Sequence, residues 1–215
     1  MNIALKTIVL VRHGESETNL TKQFTGQLDI PLTKMGMLQA ELMAAYVDKY
    51  KINKIYASSL TRAYETAMAI VRRQNCPIEK CEAFWEINAG KWHGLTFDEI
   101  SSRYPDTYKV WKESLADAHP DGGESTQELY NRVTSKFAKI INATDDQVVC
   151  IVAHATPIRM IESYIIGKDL KFAQDISWVP NASTSVYQYD GNFTTVSRGC
   201  CDYLGDMLTN LPKNI

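Results

Sequence analysis

The stretch VLVRHGESETN at positions 9–19 decides the fold of this chain, because a buried segment in it ends directly on charged side chains. Its beginning is an unbroken aliphatic run, which is typical of a strand covered on both faces of a sheet. Arg12, His13 and Gly14 follow that run at once. Two interpretations are open: the strand leaves the core and meets water, or it carries a reactive group to the edge of the sheet.

Composition describes a globular chain with little net charge. The 215 residues predict a single domain over 1–215, and 45% apolar residues are enough for a substantial core. A formal net charge of -2 argues against broad contact with nucleic acid or a membrane surface, although it allows a local basic pocket. We therefore expect no nucleic-acid partner and no membrane partner.

The cysteines and the N-terminus indicate a cytoplasmic protein. The five cysteines are an odd number without a C-x-x-C pair, which fits neither a disulfide scaffold nor a zinc knuckle. The first residues lack the charged segment, long apolar core and cleavage site of a secretory leader, and their apolar run is too short for a bilayer. A reducing, cytoplasmic location is the expectation.

Strand and helix signals alternate along the chain. Further strands are predicted at 54–57 and 148–153, and a hairpin at 185–189 and 193–197 with Asp-Gly at its turn. The alternation predicts an α/β fold, a three-layer α/β/α sandwich around a mostly parallel mixed sheet. The predicted helices cover 34–49 with Thr33 as N-cap, 60–73 with Ser58 or Ser59 as N-cap, a long segment after 122–125 that runs through Ile141, and 157–166 closed by Gly167.

The segment 96–120 has no strand signal, and we expect a helical insertion or lid near the active site. Two alternatives remain open for its larger side chains: they face the pocket, or the aromatic ones pack the insertion onto the domain. The C-terminal stretch 202–215 is expected to close the site, to form a dimer contact or to fray. The side chains concerned in the insertion are Tyr104, Tyr108, Lys109 and Trp111.

Cations and imidazoles follow three predicted strands, at the edge where open α/β sheets bind ligands. Arg12 and His13 follow the first strand, Arg62 comes one helical turn after the second, and His154 follows the third. Guanidinium groups match phosphate oxygens, and a neutral imidazole is a nucleophile near neutral pH. Together these residues predict a site for a phosphoryl group, with one histidine attacking phosphorus.

Departure of an alkoxide also requires a proton donor. The candidate is Glu86, which aromatic and apolar neighbours frame in the stretch 84–90. The alternative is a surface glutamate that follows a strand. Local sequence does not choose between the two.

These residues lie within an ordered set of motifs. The set resembles the histidine phosphatase superfamily, also called the phosphoglycerate mutase-like family, from Arg12 to about Arg159. The resemblance implies the same α/β/α fold and a phosphohistidine mechanism without metal or other cofactor. The matching motifs are Arg12-His13-Gly14-Glu15-Ser16, Asn19, Phe24-Thr25-Gly26, Asp29 to Thr33, Gly36, Gln39-Ala40, Ser58 to Ala63, Glu86, Gly90, Trp92 to Gly94, Pro120 to Ser125, and His154.

The resemblance implies a role for each of these residues. His13 would be the nucleophile and Glu86 the proton donor. The four histidines show no metal-ligand spacing, which agrees with the implied lack of a metal. The phosphoryl group would be bound by Arg12, Arg62 and His154, and the pocket lined by Asn19, Thr25 and Gly26.

Two positions depart from the family pattern. Ala155 follows the second histidine where glycine is usual, so we expect a methyl group beside the substrate-binding site. His93 stands where the family often has glutamate, and it would either contact substrate or lie on the surface in water.

The resemblance leaves the reaction to be chosen, since hydrolysis and mutase transfer share the phosphohistidine. The related mutases carry an extra segment with paired arginines, whereas the span 92–123 is short and holds Arg103 as its only arginine. We therefore favour a phosphatase that acts on a small phosphorylated metabolite, as a monomer or a homodimer. The alternatives are a phosphoglycerate mutase that interconverts the 2- and 3-phospho isomers, and a catalytically silent relative that binds phosphoesters or a protein. Sugar phosphates, nucleotide-like esters, ribazole phosphate, fructose bisphosphate and phosphoglycerates all remain candidate substrates.

Overall fold

The computed structural model of the protein describes residues 4–143 and 146–209, so residues 210–215 of the C-terminal stretch lie outside it. The strands are β1 Lys6–Arg12, β2 Lys54–Ala57, β3 Ile78–Lys80, β4 Val148–Ala153, β5 Thr184–Tyr189 and β6 Phe193–Cys200. The α-helices are α1 Glu17–Leu20, α2 Lys34–Val47, α3 Thr61–Gln74, α4 Phe97–Arg103, α5 Pro105–Glu113, α6 Thr126–Ala143 and α7 Ala155–Gly167. Short 3-10 turns occupy Asp48–Tyr50, Glu82–Phe84, Gly90–Trp92, Leu115–Asp117, Leu170–Asp175 and Asp202–Met207.

The strands form one sheet in the order β3-β2-β4-β1-β5-β6. β3, β2, β4 and β1 pair in parallel, and β5 and β6 add two antiparallel strands at one side. The predicted mostly parallel mixed sheet is therefore confirmed, including the hairpin at its end. In the β1–β4 ladder Arg12 stands opposite Ala153.

Alternate side chains of β1 pack into two separate cores, one on each face of the sheet, and the fold is therefore three-layered. Val9 and Val11 pack with α2 and α3 on one face of the sheet. Ile8 and Leu10 pack with α6, α7 and the segment around Trp111 on the other face. The sandwich predicted from the sequence is confirmed, because a strand buried on both sides requires a layer of helices on each. Among the described residues no helix is both long enough and apolar enough to cross a bilayer.

Several element boundaries differ from the predictions for tertiary reasons. β3 was not expected, because this short edge strand carries two charged residues and no buried side chain.

Thr33 caps α2 as predicted and accepts from the Gly36 N–H at 2.9 Å. Leu60 is the N-cap of α3, so the predicted serine caps are wrong. The Ser58 hydroxyl contacts His154 and the Ser59 hydroxyl contacts Trp85.

The segment 96–120 is helical, as predicted, and its large side chains divide between the two alternatives. Tyr108 is buried and meets Trp92 edge-on, with 6.0 Å between ring centroids, so it packs the insertion onto the domain. Tyr104 is partly buried against the same core. Lys109 is exposed and faces Glu113 at 4.0 Å. Trp111 packs in the core and also lines a cleft that contains His13 and Glu86.

Gly36 lies in the first turn of α2, where the backbone of the turn after β1 rests directly on it. A Cβ atom at Gly36 would lie 2.0 Å from the carbonyl oxygen of Glu15, and one at Gly14 would lie 2.4 Å from the carbonyl oxygen of Gly36. Both contacts are with backbone, which cannot move aside as a side chain can. The two glycines therefore set how closely the turn after β1 approaches α2.

Candidate active site

The end of the β1–β4 ladder brings two imidazoles together. His13 and His154 directly follow the paired residues Arg12 and Ala153. Their ring centroids are 5.0 Å apart with 60° between the planes, and both side chains are buried. Residues far apart in the sequence can therefore contact a single bound group.

The backbone next to His13 fixes the tautomer of its ring. His13 Nδ1 lies 2.6 Å from the carbonyl oxygen of Gly14, and because a carbonyl only accepts, Nδ1 carries the hydrogen. Nε2 is left with a lone pair, which Arg62 Nε faces at 3.4 Å. The amide of Asn181 and the N–H of Ala182 hold the His13 carbonyl oxygen at 3.1 and 3.0 Å. The ring thus presents an unprotonated nitrogen from a rigid turn, and that nitrogen accepts a hydrogen bond from Arg62.

In His154 the Nε2 atom has a hydrogen-bond partner and the Nδ1 atom has none among the described residues. The Ser58 hydroxyl lies 2.8 Å from His154 Nε2 and also accepts, at 3.4 Å, from the Leu60 N–H. The hydroxyl can donate its hydrogen to Nε2, and in that arrangement the ring hydrogen lies on Nδ1. Within the described part of the chain, Nδ1 is buried without a partner. A buried donor of this kind favours an acceptor bound beside it.

Burial keeps both imidazoles neutral. It lowers the pKa of His13 well below 6.5, and the positive charges of Arg62 and Arg12 lower it further. The pKa of His154 falls well below 6.5 for the same first reason, with Arg62, His13 and Arg12 adding to it. Both rings therefore remain free bases as the pH falls through the value at which an ordinary histidine takes up a proton.

We expect nitrogen-15 NMR of the ligand-free protein to show this directly. At pH 6.5 the His13 and His154 rings should each give one protonated and one unprotonated nitrogen, with His13 protonated on Nδ1. Acidification should charge them only well below that pH, and activity should fall as the nucleophile is lost. An imidazolium at either position at pH 6.5 would contradict the assignment.

Two buried guanidinium groups border the same space. Arg12 donates to the carbonyl oxygen of Val179 at 2.6 Å, and its Nε is buried without a partner. Arg62 donates to the carbonyl oxygens of Leu28 and Gly26 at 2.7 and 2.8 Å. Burial lowers the pKa of both groups to about 10, so both stay cationic at neutral pH. Across residues 4–143 and 146–209 neither forms an ion pair, which leaves their charges for an anionic ligand.

The Glu86 carboxylate faces this space from the segment after β3. It is 8% exposed, so the surface alternative is wrong. Its Oε1 accepts from the Ile87 N–H at 2.8 Å, and its Oε2 lies 3.4 Å from the Thr156 N–H. One oxygen is thus held firmly and the other only weakly.

An arginine that the sequence reasoning missed holds the backbone of that segment. Arg132 donates to the carbonyl oxygens of Glu86 and Ala83, both at 3.0 Å. Its remaining donors meet both carboxylate oxygens of Glu124, at 2.6 and 2.9 Å. Glu124 also accepts from the Asn88 N–H at 2.7 Å. The Gly-rich motif at 122–125 pointed to Glu124, but nothing in the sequence pattern pointed to Arg132.

Replacing Arg132 by glutamine is expected to lower kcat by up to about a hundredfold, because small misplacements of a reacting group are that costly. KM should change little, since the side chain does not touch the cleft. Steady-state kinetics on a phosphomonoester measures both. Arg72→Gln is the control, because Arg72 forms an exposed ion pair with Glu41 and should leave kcat unchanged. Equal effects of the two variants would deny Arg132 a positioning role.

These groups surround what we call the catalytic cleft, with an empty volume of about 700 Å³ up to its open mouth. Every site residue predicted from the sequence except His154 lines it, and His154 lies beneath His13. Trp111 lines the cleft, as one alternative for the insertion expected, and so do Phe24 of the matching motifs and Thr209 of the C-terminal stretch. The sequence did not identify three further lining side chains, whose positions depend on packing between distant segments: Phe97, Trp178 and Asn181.

His93 fits neither of its two sequence-based alternatives. Its Nε2 accepts from the N–H groups of Gln27 and Ala89, at 3.0 and 3.2 Å. Burial lowers the pKa of this ring, which suits an accepting nitrogen. His93 therefore ties the Gly26 turn to the segment that carries Glu86, and it acts through structure rather than by meeting substrate.

The site combines an unprotonated imidazole nitrogen, two guanidinium cations and a carboxyl group around one cleft. That set suits a tetrahedral oxyanion attacked from the His13 side, with proton transfer from the Glu86 side. Among the described residues, no group of three or more histidine, cysteine, aspartate or glutamate side chains is arranged to hold a metal ion.

Comparisons with known proteins show which family the chain resembles over nearly its whole length. Residues 8–201 match the histidine phosphatase superfamily (branch 1). The chain is 34% identical over 163 residues to phosphoserine phosphatase 1 of Hydrogenobacter thermophilus, an overlap of 76% of this chain and 77% of that protein. It is 31% identical over 193 residues to phosphoglycerate mutase-like protein 4 of Arabidopsis thaliana, an overlap of 88% and 82%.

Solved structures with the same fold include two with 25% identity. A mycobacterial glucosyl-3-phosphoglycerate phosphatase in complex with VO3 superimposes with a TM-score of 0.85, over 91% of this chain and 100% of that one. Bacillus stearothermophilus YhfR superimposes with a TM-score of 0.86, over 93% and 99%.

Proposed function

The chain belongs to branch 1 of the histidine phosphatase superfamily and is an enzyme of the phosphatase type, and from that premise we propose that it hydrolyses small phosphomonoesters through a phosphohistidine on His13. The observation that carries the proposal is the His13 ring, which carries an unprotonated Nε2 and lines a cleft bordered by the guanidinium groups of Arg12 and Arg62.

The first step is displacement at phosphorus. Nε2 of His13 forms a bond to phosphorus while the bond to the alcohol oxygen breaks, and Glu86 donates a proton to that oxygen. Nδ1–H remains bonded to the Gly14 carbonyl oxygen, which stabilises the positive charge that develops on the ring. The products of this step are a free alcohol and a phosphorylated His13.

The second step reverses these roles with water. Glu86, now deprotonated, takes a proton from a water molecule, whose oxygen bonds to phosphorus as the bond to Nε2 breaks. Inorganic phosphate leaves and both groups regain their starting states. The weakly held Oε2 of Glu86 is the oxygen suited to exchange this proton.

Charge neutralisation holds the phosphoryl oxygens during both steps. Arg12 and Arg62 together offer two positive charges to a dianion, and His154 offers its unpaired Nδ1–H. Asn19, Thr25, Gly26 and Ala155 line the surrounding wall.

Hydrolysis is favoured over mutase transfer by the composition of the span 92–123. A mutase has to hold the acidic product for a second transfer, but Arg103, the only arginine in 92–123, is exposed and bonded to Glu99 at 3.1 Å. Phosphoglycerate mutase remains the second candidate, because one relative is named a phosphoglycerate mutase-like protein. A coupled assay with 3-phosphoglycerate distinguishes them: isomerisation faster than phosphate release would favour the mutase.

The central test is phosphate release by the purified protein in the presence of a chelator. We expect turnover of p-nitrophenyl phosphate and of at least one metabolite in a panel that contains phosphoserine, glucosyl-3-phosphoglycerate, sugar phosphates and ribazole phosphate. A strict requirement for metal, or the lack of any turnover, would overturn the proposal. The predicted single domain, cytoplasmic location, monomeric or homodimeric state and lack of nucleic-acid or membrane partners stay predictions.

A further inference from the structure

A second cleft lies on the other side of one wall of the catalytic cleft. Trp111 and Trp178 stack with 6.5 Å between ring centroids and 19° between planes, and both line both clefts. The second cleft, here called the outer cleft, has an empty volume of about 740 Å³. Its walls include Trp111, Lys112, Leu115, Arg159, Gln174 and Trp178. The proposed hydrolysis makes no use of this space.

Arg159 of α7 enters the outer cleft with most of its donors unused. The side chain is 8% exposed, and a guanidinium group carries five N–H donors. One hydrogen bond engages it within residues 4–143 and 146–209, from NH2 to the carbonyl oxygen of Gln174 at 3.1 Å. Its Nε is buried without a partner. Buried donors left in this state are costly unless a ligand meets them.

The charge of Arg159 is also not neutralised by a carboxylate of its own. Glu162, one turn further along α7, accepts from the Tyr187 hydroxyl and from Arg198, each at 2.8 Å. Lys112 and Asp175 lie at the exposed rim of the cleft, where their opposite charges offset each other. Arg159 therefore supplies the net positive charge of the outer cleft.

Trp178 holds the guanidinium plane in place. The Arg159 Cζ atom lies 4.4 Å from the centroid of the Trp178 ring. Stacking of this kind fixes the orientation of the planar group while leaving the N–H donors at its edge available. Burial lowers the pKa of Arg159 to about 10, so the group is still cationic at neutral pH.

We propose that the outer cleft is a binding site for a carboxylate or phosphate group, which Arg159 holds with its unused donors. An edge of a guanidinium group matches two oxygens of either anion. The anion can be a second acidic group of the substrate that reaches around the Trp111–Trp178 wall between the two adjacent clefts, or it can be a free metabolite. Only the first of these sources rests on the proposed hydrolysis.

The first arm of the test measures binding without turnover. Malonate is titrated into the intact protein, whose catalytic cleft has been filled with orthovanadate, and is followed by calorimetry and by the NMR signal of the Arg159 Nε–H group. We expect saturable binding that shifts this signal, and about tenfold or greater weakening in Arg159→Gln. Arg103→Gln removes an exposed arginine of α4 and should bind malonate as the unmodified protein does.

The second arm identifies the source of the anion. KM is compared for a phosphomonoester that bears a carboxylate and for its amide analogue. If the anion belongs to the substrate, Arg159→Gln should raise KM about tenfold for the acid alone, with kcat nearly unchanged. If malonate binds but both esters respond equally to Arg159→Gln, the site serves a free anion.

The proposal is overturned if malonate leaves the Arg159 signal unmoved and the two esters respond equally to Arg159→Gln. Arg159→Lys keeps the charge without the planar donors and covers the case in which the glutamine variant does not fold; intermediate weakening is expected there. Failure of the proposed hydrolysis would appear differently, as no phosphate release from any ester, while the binding arm would still report on Arg159.

Discussion

Replacing His13 by alanine is expected to lower the rate of phosphate release by at least about a thousandfold. Alanine removes the one imidazole that lines the cleft among the described residues, together with its unprotonated Nε2, and water cannot use the same position without a base beside it. Rapid acid-free quenching after addition of a labelled phosphomonoester should trap label on His13 in the unmodified protein. The trapped label should be stable to base and labile to acid, as a phosphorus–nitrogen bond requires.

His119→Ala is the matched control for this loss. His119 is exposed and bonds, through Nε2, to the carbonyl oxygen of Gly123 at 3.1 Å, away from the cleft. Its removal should leave both the rate and the trapped intermediate intact. Should His13→Ala keep its activity while His119→Ala loses it, a different nucleophile would have to be sought.

Replacing Glu86 by glutamine is expected to slow hydrolysis of alkyl phosphates by about a hundredfold to ten-thousandfold, the usual range for loss of general acid–base catalysis. Glutamine has nearly the same shape and can still accept from the Ile87 N–H, so the fold should be kept. The loss should be much smaller for p-nitrophenyl phosphate in the first step, because its leaving anion is stable without a proton. Kinetics on both esters, with burst-phase analysis of the aryl ester, measures the difference.

Glu82→Gln tests whether the effect is specific to the cleft. Glu82 lies four residues earlier in the same segment and is exposed to solvent. It should turn over both esters at the unmodified rate. A Glu86→Gln variant that loses the same factor on both esters in the first step would deny Glu86 the role of proton donor to the alcohol.

The central strands were predictable because their signals are local. The aliphatic runs of β1 and β4 are unbroken, and the Asp-Gly turn identifies the β5–β6 hairpin. Open α/β sheets bind ligands beyond the carboxyl ends of their strands, and this rule predicted that Arg12, His13, Arg62 and His154 lie at one edge of the sheet. The structure places them there. Their catalytic roles remain proposals, since position alone does not establish chemistry.

The parts that escaped prediction depend on contacts between distant segments. Ser58 and Ser59 look like helix caps locally, but their hydroxyls are taken by His154 and Trp85 across the fold. Arg132 lies on a helix where an arginine is ordinary, and its importance appears only when the backbone of Glu86 is placed beside it. Asn181 holds the His13 carbonyl oxygen from a loop with no regular pattern.

The pairing of Arg12 with Ala153 in the β1–β4 ladder also bears on the order of events during refolding. That ladder closes a loop of most of the chain, and such long-range parallel pairing is entropically costly and slow compared with helix formation. After dilution from denaturant, turnover should therefore return later than the helical circular dichroism signal. The time at which turnover recovers then reports when the pairing of β1 with β4 is complete.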